Sequence, residues 1–309
     1  MQRLPGDTLE ILKLAACIGN RFDLEILAAA CNKSSKEIVD CLMPSVNEGL
    51  VLTVENQNML LSSECREVEP SVFEFLHDRV QQAVYSLIPE DEKKKKHLAI
   101  GQLLLRDTDY DSLEEKILSI MDHFNRSLEL INDSKERTKL AEYNLLAGRK
   151  AKASAAYVSA LQYFRTGCKL LPEAAWEKSY KLSFDVYLEL AQAEYLSTNV
   201  KVAEELFNTV IEKVANELER ASVYGLKVIL YAGVGKYAEA VHTGIHALEK
   251  LGIRLPLYPT KADYVKELLL YKWHMRNKRI EDLIHLPEMT DPKQRKIAEL
   301  LTRLSAVTM

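Results

Sequence analysis

The stretch SVFEFLHDRVQQAVYSLI, residues 71–88, decides how the first part of this chain folds. A short, apolar, strand-like run containing Phe73 and Phe75 ends abruptly at Leu76, and an amphipathic helix begins there. The corner between the two carries His77 and Asp78. A histidine and an aspartate in that place fit a general base, a metal ligand, a contact to a nucleotide or only a helix cap.

The residues before this stretch predict three helices and one further strand. LVLTV, residues 50–54, is rich in β-branched residues and reads as a strand, and a polar loop over residues 55–70 joins it to SVFEF. Three helices followed by a two-stranded wing is the order of a winged-helix domain, which we predict for residues 1–90. The expected helix starts are Thr8, Asp23 and either Ser34 or Ser35, and the expected stops are Gly19 and Gly49.

A winged helix suggests DNA binding, but the charges of this one argue against it. A DNA-binding surface neutralises phosphates with lysine and arginine. Here acidic residues outnumber basic ones on both of the elements that would face the duplex, so DNA binding is the less favoured alternative. The third helix and its approach carry Lys33 and Lys36 against Glu37, Asp40 and Glu48, and the wing carries Arg66 against Glu55, Glu64, Glu67 and Glu69.

The remainder of the chain predicts helices only. Residues 91–135 combine a charged run, EDEKKKKH, with apolar positions at helical spacing, and we expect connecting helices there. Residues 136–309 predict a tetratricopeptide-like solenoid of helical repeats. An apolar residue stands three positions before an alanine in three segments about 40 residues apart, at the pairs Tyr157 and Ala160, Val200 and Ala203, and Tyr237 and Ala240.

The composition indicates a mainly α, cytoplasmic protein without a nucleic-acid or membrane partner. The net charge is −4, and glycine and proline are scarce at 11 and 9 of 309 residues, which favours helices over a turn-rich β fold. The five cysteines, Cys17, Cys31, Cys41, Cys65 and Cys168, form no CxxC pair, as in a protein of a reducing compartment. No apolar run reaches the roughly 18 to 20 residues of a membrane span. Both ends of the chain look like cuts within a longer polypeptide.

No motif for catalysis or metal binding stands out. The sequence has no phosphate-binding GxxxxGK[ST] loop, and the nearest match, around Gly233 and Gly235, is better explained as a turn between repeat helices. His242 and His246 lie four apart on one helix but lack the glutamate of a zinc-protease motif. His97 and His123 stand at no spacing that suggests a shared site. We therefore expect neither a catalytic residue nor a metal ligand in this chain.

Several segments of this chain resemble one region of large bacterial multi-domain signalling kinases. These segments are RLPGDTLEILKLAACIGNRFDLEILA, FLHDRVQQAVYSLIPE, HLAIGQLLL, AGRKAKASAAYVSALQYF and LPEMTDPKQRKIAELL. They are spread along the chain, and the similarity extends over nearly all of it. The family joins a serine/threonine-kinase-like domain, a signal-transduction ATPase of the STAND type, a GAF domain and a histidine kinase. The resemblance places this chain just after the ATPase core, in a winged helix that continues into tetratricopeptide-like repeats.

The resemblance gives the His-Asp corner a role. In STAND ATPases, the histidine of a hydrophobic-His-Asp motif contacts the β-phosphate of bound ADP, and Leu76-His77-Asp78 is similar to that motif. An imidazole donor at a helix N-terminus suits an anion. Asp78 would cap the helix and orient its start. The alternative is that Asp78 only caps and His77 is a structural corner residue.

These expectations amount to a non-enzymatic regulatory and interaction segment. It would report the nucleotide state, ATP or ADP, of an upstream ATPase domain of the same chain, while the repeats bind an unidentified protein. The segment itself would hold no cofactor. The alternatives are a plain scaffold for a signalling complex and, less favoured, a DNA-binding regulator.

Overall fold

The computed structural model describes residues 4–54, 71–276 and 287–308. These residues are mainly helical, as the sequence predicts. The chain divides into two compact units, Met1–Pro172 and Glu173–Met309. The domain limits expected after residues 90 and 135 stay predictions.

The first unit opens with helices and short strands in alternation. Asp23 caps the second helix by accepting hydrogen bonds from the amides of Glu25 and Ile26. Ser34 caps the third, and Glu37 returns a hydrogen bond to the Ser34 amide, which completes a capping box. The elements are α1 (Gly6–Ile18), β1 (Arg21–Asp23), α2 (Leu24–Cys31), α3 (Ser35–Asn47), β2 (Val51–Val54) and β3 (Val72–Phe75).

Two details of this region differ from the sequence-based expectation. The cap expected at Thr8 is wrong: α1 begins two residues earlier, behind Pro5, and Thr8 is buried within the helix. Proline suits a helix start because it lacks the amide proton that would otherwise stay unbonded there. Strand β1 was not predicted, since three residues are too short to show a periodic pattern. The loop over residues 55–70, with Cys65 and Arg66, lies outside the described residues.

The strands form an antiparallel sheet whose inner face belongs to the core. Their order is β1-β3-β2, with Phe22 opposite Phe73 in one ladder and Thr53 opposite Phe73 in the other. The ring centroid of Phe22 lies 5.9 Å from that of Phe73 and 5.5 Å from that of Phe75. All three rings are fully buried. The central strand that leads to the His-Asp corner is therefore held by pairing with both neighbouring strands and by packing on its inner face.

The first unit continues in helices that follow the sheet. Gln81 connects the first of them to α1, because its Nε2 donates a hydrogen bond of 2.7 Å to the Ala16 carbonyl oxygen. Gly148 lies directly against the Phe164 ring, where any side chain would overlap the ring. The helices are α4 (Asp78–Ser86), α5 (Glu90–Arg106), α6 (Tyr110–Asn125), α7 (Ser134–Ala153) and α8 (Tyr157–Leu170), with a short 3-10 helix (Leu128–Leu130) before α7.

The second unit is helical throughout its described residues. Its core lies between paired helices, and α15 packs against α12 and α13. Gly244 allows that approach, because an added Cβ would overlap the Leu304 side chain. The helices are α9 (Ala175–Lys178), α10 (Tyr180–Leu196), α11 (Val200–Lys213), α12 (Glu217–Gly233), α13 (Tyr237–Lys250), α14 (Lys261–Met275) and α15 (Pro292–Thr308).

Three helix hairpins have turns of the same conformation, which is structural evidence for a repeat. In each hairpin the second helix begins at the apolar residue singled out in the sequence, and the alanine three positions later is buried. One residue in each turn has positive φ: 58° at Ala155, 66° at Thr198 and 77° at Gly235. The amide of the next residue donates to the carbonyl five positions back at 2.9 Å in all three turns. Sequence and backbone therefore repeat together at α7–α8, α10–α11 and α12–α13.

Candidate functional site

The His-Asp corner is the point where β3 passes into α4. The Leu76 amide donates to the Leu50 carbonyl oxygen at 3.0 Å, which ends the sheet pairing. His77 follows in extended backbone, with φ −147° and ψ 146°, and its carbonyl oxygen accepts the Val80 amide at 2.8 Å. His77 is therefore the residue at the N-cap position.

Asp78 is the first residue of α4 rather than its cap. No side chain caps this helix, so the capping hydrogen bond expected from Asp78 is absent. Its carboxylate still lies in the first turn, where the helix dipole favours negative charge. The side chains of Leu76, His77 and Asp78 are exposed. Within the described residues, neither His77 nor Asp78 makes a side-chain hydrogen bond, so both polar groups face outward.

The structure beneath the exposed corner is firmly packed. Phe75, immediately before it, is 1% exposed, and Val84 on α4 is fully buried. The hydrogen bond from Gln81 to α1 adds a fixed point one turn after His77. The packing fixes the backbone from which the exposed His77 side chain projects.

A chain of polar side chains connects α4 with α5 and α6. The Tyr85 hydroxyl is 2.9 Å from His97 Nε2, and His97 Nδ1 is 2.9 Å from His123 Nδ1. Only one of the two facing Nδ1 atoms can carry the proton. Both contacts are satisfied when the Tyr85 hydroxyl donates to His97 Nε2 and the Nδ1–H of His97 donates to His123 Nδ1. The spacing of 26 residues between the histidines gave no sign of this contact.

The surroundings of the two histidines keep both rings neutral. They are 3% and 5% exposed. Burial, with a smaller effect from the neighbouring His123, lowers the pKa of His97 to about 4. Burial likewise lowers the pKa of His123 to about 4, with a smaller effect from the Arg126 charge. Both histidines are therefore uncharged at neutral pH.

A cavity of about 410 Å³ opens beside this pair, between α1, α4, α5 and α6. Its lining includes Cys17, Gln81 and Arg126 together with the two histidines. Burial raises the pKa of the Cys17 thiol to about 11, so it stays protonated and is not a nucleophile. Within the described residues no cluster of three or more histidine, cysteine or carboxylate side chains could hold a metal ion.

The glycines and histidines that the sequence analysis weighed as possible motifs lie on α12, on α13 and in the turn between them. Gly233 ends α12 and Gly235 forms the turn to α13, where the sequence analysis favoured a turn. His242 and His246 lie on α13, and the His246 ring meets the Tyr224 ring edge-on at 5.3 Å between centroids. None of the helices among the described residues is long and apolar enough to span a bilayer.

Comparisons with known proteins found a curated relative and a solved structure of weak similarity. No family model matches the chain. It is 24% identical over 332 residues to "Hybrid signal transduction histidine kinase G" of Dictyostelium discoideum, which covers 92% of this chain and 10% of that protein. The chain thus spans about a tenth of the length of this curated relative.

The similarity of the chain to one solved structure is weak. It is the crystal structure of a "Signal Transduction ATPase with Numerous Domains (STAND) protein with a tetratricopeptide repeat sensor" from Pyrococcus horikoshii. The TM-score is 0.35 at 16% identity, over 100% of this chain and 46% of that one.

Proposed function

We propose that this chain is a regulatory segment of a signalling ATPase and kinase, in which His77 reports the nucleotide bound to a neighbouring ATPase domain. The observation that carries the proposal is the position of His77: exposed, at the start of a helix, and mounted on a buried strand. The resemblance of Leu76-His77-Asp78 to the STAND motif supports it, and so does the relative among hybrid histidine kinases.

The first region is best interpreted as a winged helix. The order α1-β1-α2-α3-β2-β3, with an antiparallel sheet after the third helix, supports this interpretation. Strand β1 pairs with β3 and adds the third strand that many such domains carry on the side opposite the wing. In this role α4 continues from the sheet and presents His77 at its first turn.

The chemistry at His77 would be recognition of phosphate. The first amides of a helix lack intrahelical partners and bear partial positive charge, which favours an anion. An imidazole N–H beside them adds a directed donor. ADP that bridges the ATPase domain and His77 would hold the two domains together, and loss of this contact would release them.

The hairpin repeats would provide the second input. Helical-hairpin arrays serve mainly as surfaces for binding proteins. A protein that binds better to the released arrangement would shift the population toward it, so the nucleotide and the protein would be coupled through one equilibrium. The segment itself performs no chemistry in this scheme.

The test uses a longer chain that includes the upstream ATPase domain, as wild type and as His77→Ala. Retained ADP is measured after purification, and ADP affinity by titration. A charge-assisted hydrogen bond to the phosphate contributes about 1.5 to 3 kcal/mol, so the variant should bind ADP at least about tenfold more weakly. Arg79→Ala is the matched control, because Arg79 is exposed two residues further on.

Each outcome separates the proposal from its alternative. A loss in His77→Ala with Arg79→Ala unchanged supports nucleotide sensing. Equal ADP affinity in all three proteins would refute it and favour a plain scaffold, whose complexes form irrespective of nucleotide. An equal loss in both variants would indicate a general electrostatic effect at this corner and would also contradict a specific His77 contact.

A further inference from the structure

Helix α14 exposes far more apolar surface than a helix of a packed unit normally does. No residue of α14 is buried. Tyr264, Leu269 and Trp273 are 65%, 62% and 60% exposed, and Leu268 and Tyr271 are more than half exposed as well. Large contiguous apolar patches of this kind mark surfaces that are covered by a partner or a membrane. Exposed tryptophan and tyrosine together with leucine are typical of the membrane–water interface.

The apolar side chains on one side of α14 form a continuous stripe. At 3.6 residues per turn, Ala262, Val265, Leu269 and Trp273 fall within an arc of about 80°. The same residues line a shallow, open apolar depression on the surface of the helix. The stripe is long enough to place three helical turns on a flat surface.

Basic residues border this stripe, and the acidic residues of the helix lie elsewhere. Lys266 and Lys272 project about 60° to either side of Leu269. Asp263 and Glu267 lie more than 100° from Leu269 around the helix. They line, together with Lys266, a cavity of about 440 Å³ that α14 shares with α13, α15 and the segment 254–259. Lys266 thus lies between this cavity and the stripe. Asp263 is further engaged in a capping box with Thr260. The outward surface is therefore apolar along its centre and basic along both edges.

We propose that α14 binds the surface of an anionic membrane, lying in the plane of the interface. Val265, Leu269 and Trp273 would enter the boundary between headgroups and acyl chains, while Lys266 and Lys272 extend to lipid phosphates and carboxylates. The helix has 15 residues, which is too short to span a bilayer. Anchoring of this kind is peripheral, and it depends on both the apolar stripe and its basic edges.

The same features disfavour other occupants. A second copy docked through this stripe would bring the lysines of the two helices together, and like charges at close range repel. A peptide helix needs a groove between elements to receive it, whereas the shallow depression along the stripe is lined by residues of α14 alone. A bilayer adapts to a single exposed helix and supplies the negative charge. The proposal makes no use of His77, so it stands or fails separately from the nucleotide contact.

The test uses vesicles with the intact chain. The sequence contains two tryptophans, Trp176 and Trp273. Trp176→Phe therefore leaves Trp273 as the single tryptophan reporter. With vesicles of phosphatidylserine and phosphatidylcholine we expect co-sedimentation and a blue shift of Trp273 emission, both weakened by added salt. Vesicles of phosphatidylcholine alone should bind much less.

Matched charge reversals isolate the role of α14. Replacing Lys266 and Lys272 by glutamate should lower partitioning by on the order of thirty-fold or more, since each basic residue near an anionic surface strengthens binding about fivefold. The control replaces Lys201 and Lys213 on α11, which are also exposed, and makes the same change in net charge. Leu269→Glu tests the apolar stripe and should abolish the blue shift. Circular dichroism checks that each variant is folded.

Three results would overturn the proposal. The first is no binding to the anionic vesicles and no change in Trp273 emission. The second is an equal loss of partitioning in the α14 and α11 charge variants, which would indicate attraction by net charge alone. The third is a dimer by light scattering that dissociates with Leu269→Glu, which would assign the stripe to a second copy.

Discussion

Acidification should destabilise the first unit through its two buried histidines. In the folded chain the pKa of His97 and of His123 is about 4, against 6.5 for an ordinary histidine. Between these values the unfolded chain binds protons that the folded chain does not. The stabilising effect of keeping the rings neutral is therefore complete only above about pH 6.5, and it is lost as the pH falls toward 4.

The magnitude follows from the two pKa values. Between pH 7 and pH 5, each buried histidine should lower the free energy of unfolding by about 2 kcal/mol, and the pair together by about 3 to 4 kcal/mol. Carboxylates bound in the folded state contribute mainly at lower pH. Their contribution is removed by comparing variants rather than absolute stabilities.

The assay is urea unfolding at pH 7, 6 and 5, followed by circular dichroism. Tryptophan emission gives a separate signal for the second unit, since both Trp176 and Trp273 lie there. His123→Asn should reduce the pH dependence by about 2 kcal/mol, whatever its effect on stability at pH 7. His77→Asn is the matched control, because it makes the same substitution at an exposed histidine.

Two results would refute this reasoning. One is a wild-type free energy of unfolding that changes by less than about 1 kcal/mol between pH 7 and pH 5. The other is the same pH dependence in wild type and His123→Asn, which would place the responsible groups elsewhere.

Two further pairs of variants test the packing. Gly148→Ala should lower the free energy of unfolding by about 1 to 3 kcal/mol, because the new methyl group overlaps the Phe164 ring. Gly233→Ala should raise it by about 0.5 to 1 kcal/mol, because the space around Gly233 is open and alanine favours the helix. Equal effects in urea unfolding would contradict the close approach of α7 and α8. Tyr195→Phe should be neutral or stabilising, since its buried hydroxyl has no hydrogen-bond partner among the described residues. Tyr231→Phe should lower the free energy of unfolding by about 1.5 to 3 kcal/mol, since its hydroxyl donates to a glutamate carboxylate of α11. Equal losses by calorimetry would refute this difference.

Local signals in the sequence anticipated much of the fold. Asp23 and Ser34 were recognisable as helix starts because a side chain that bonds the first amides is a property of a few adjacent residues. Gly49 was recognisable as a stop, and it has φ 65°, a conformation that glycine adopts without strain. The hairpin repeat was readable at Ala160 and Ala203, since burial between paired helices demands a small side chain at a fixed interval.

Other features depended on residues distant in the sequence. Strand β1 exists because Arg21–Asp23 pairs with β3, about 50 positions away, and no three-residue pattern encodes that pairing. The helix start predicted at Thr8 is wrong because α1 begins behind Pro5, and the Thr8 side chain is buried within the helix. The winged-helix interpretation and the contact of His77 with a nucleotide stay proposals.

The sequence by itself determined the starts of α2 and α3 and the residues that stand at the corner before α4, because capping, turn preference and helical periodicity act over a few neighbouring positions. Only the tertiary structure decided that His97 and His123 meet at 2.9 Å, and that α14 keeps Leu269 and Trp273 uncovered. Helical periodicity states which residues share a face. What that face meets depends on how the helices pack, and packing is a property of the whole unit.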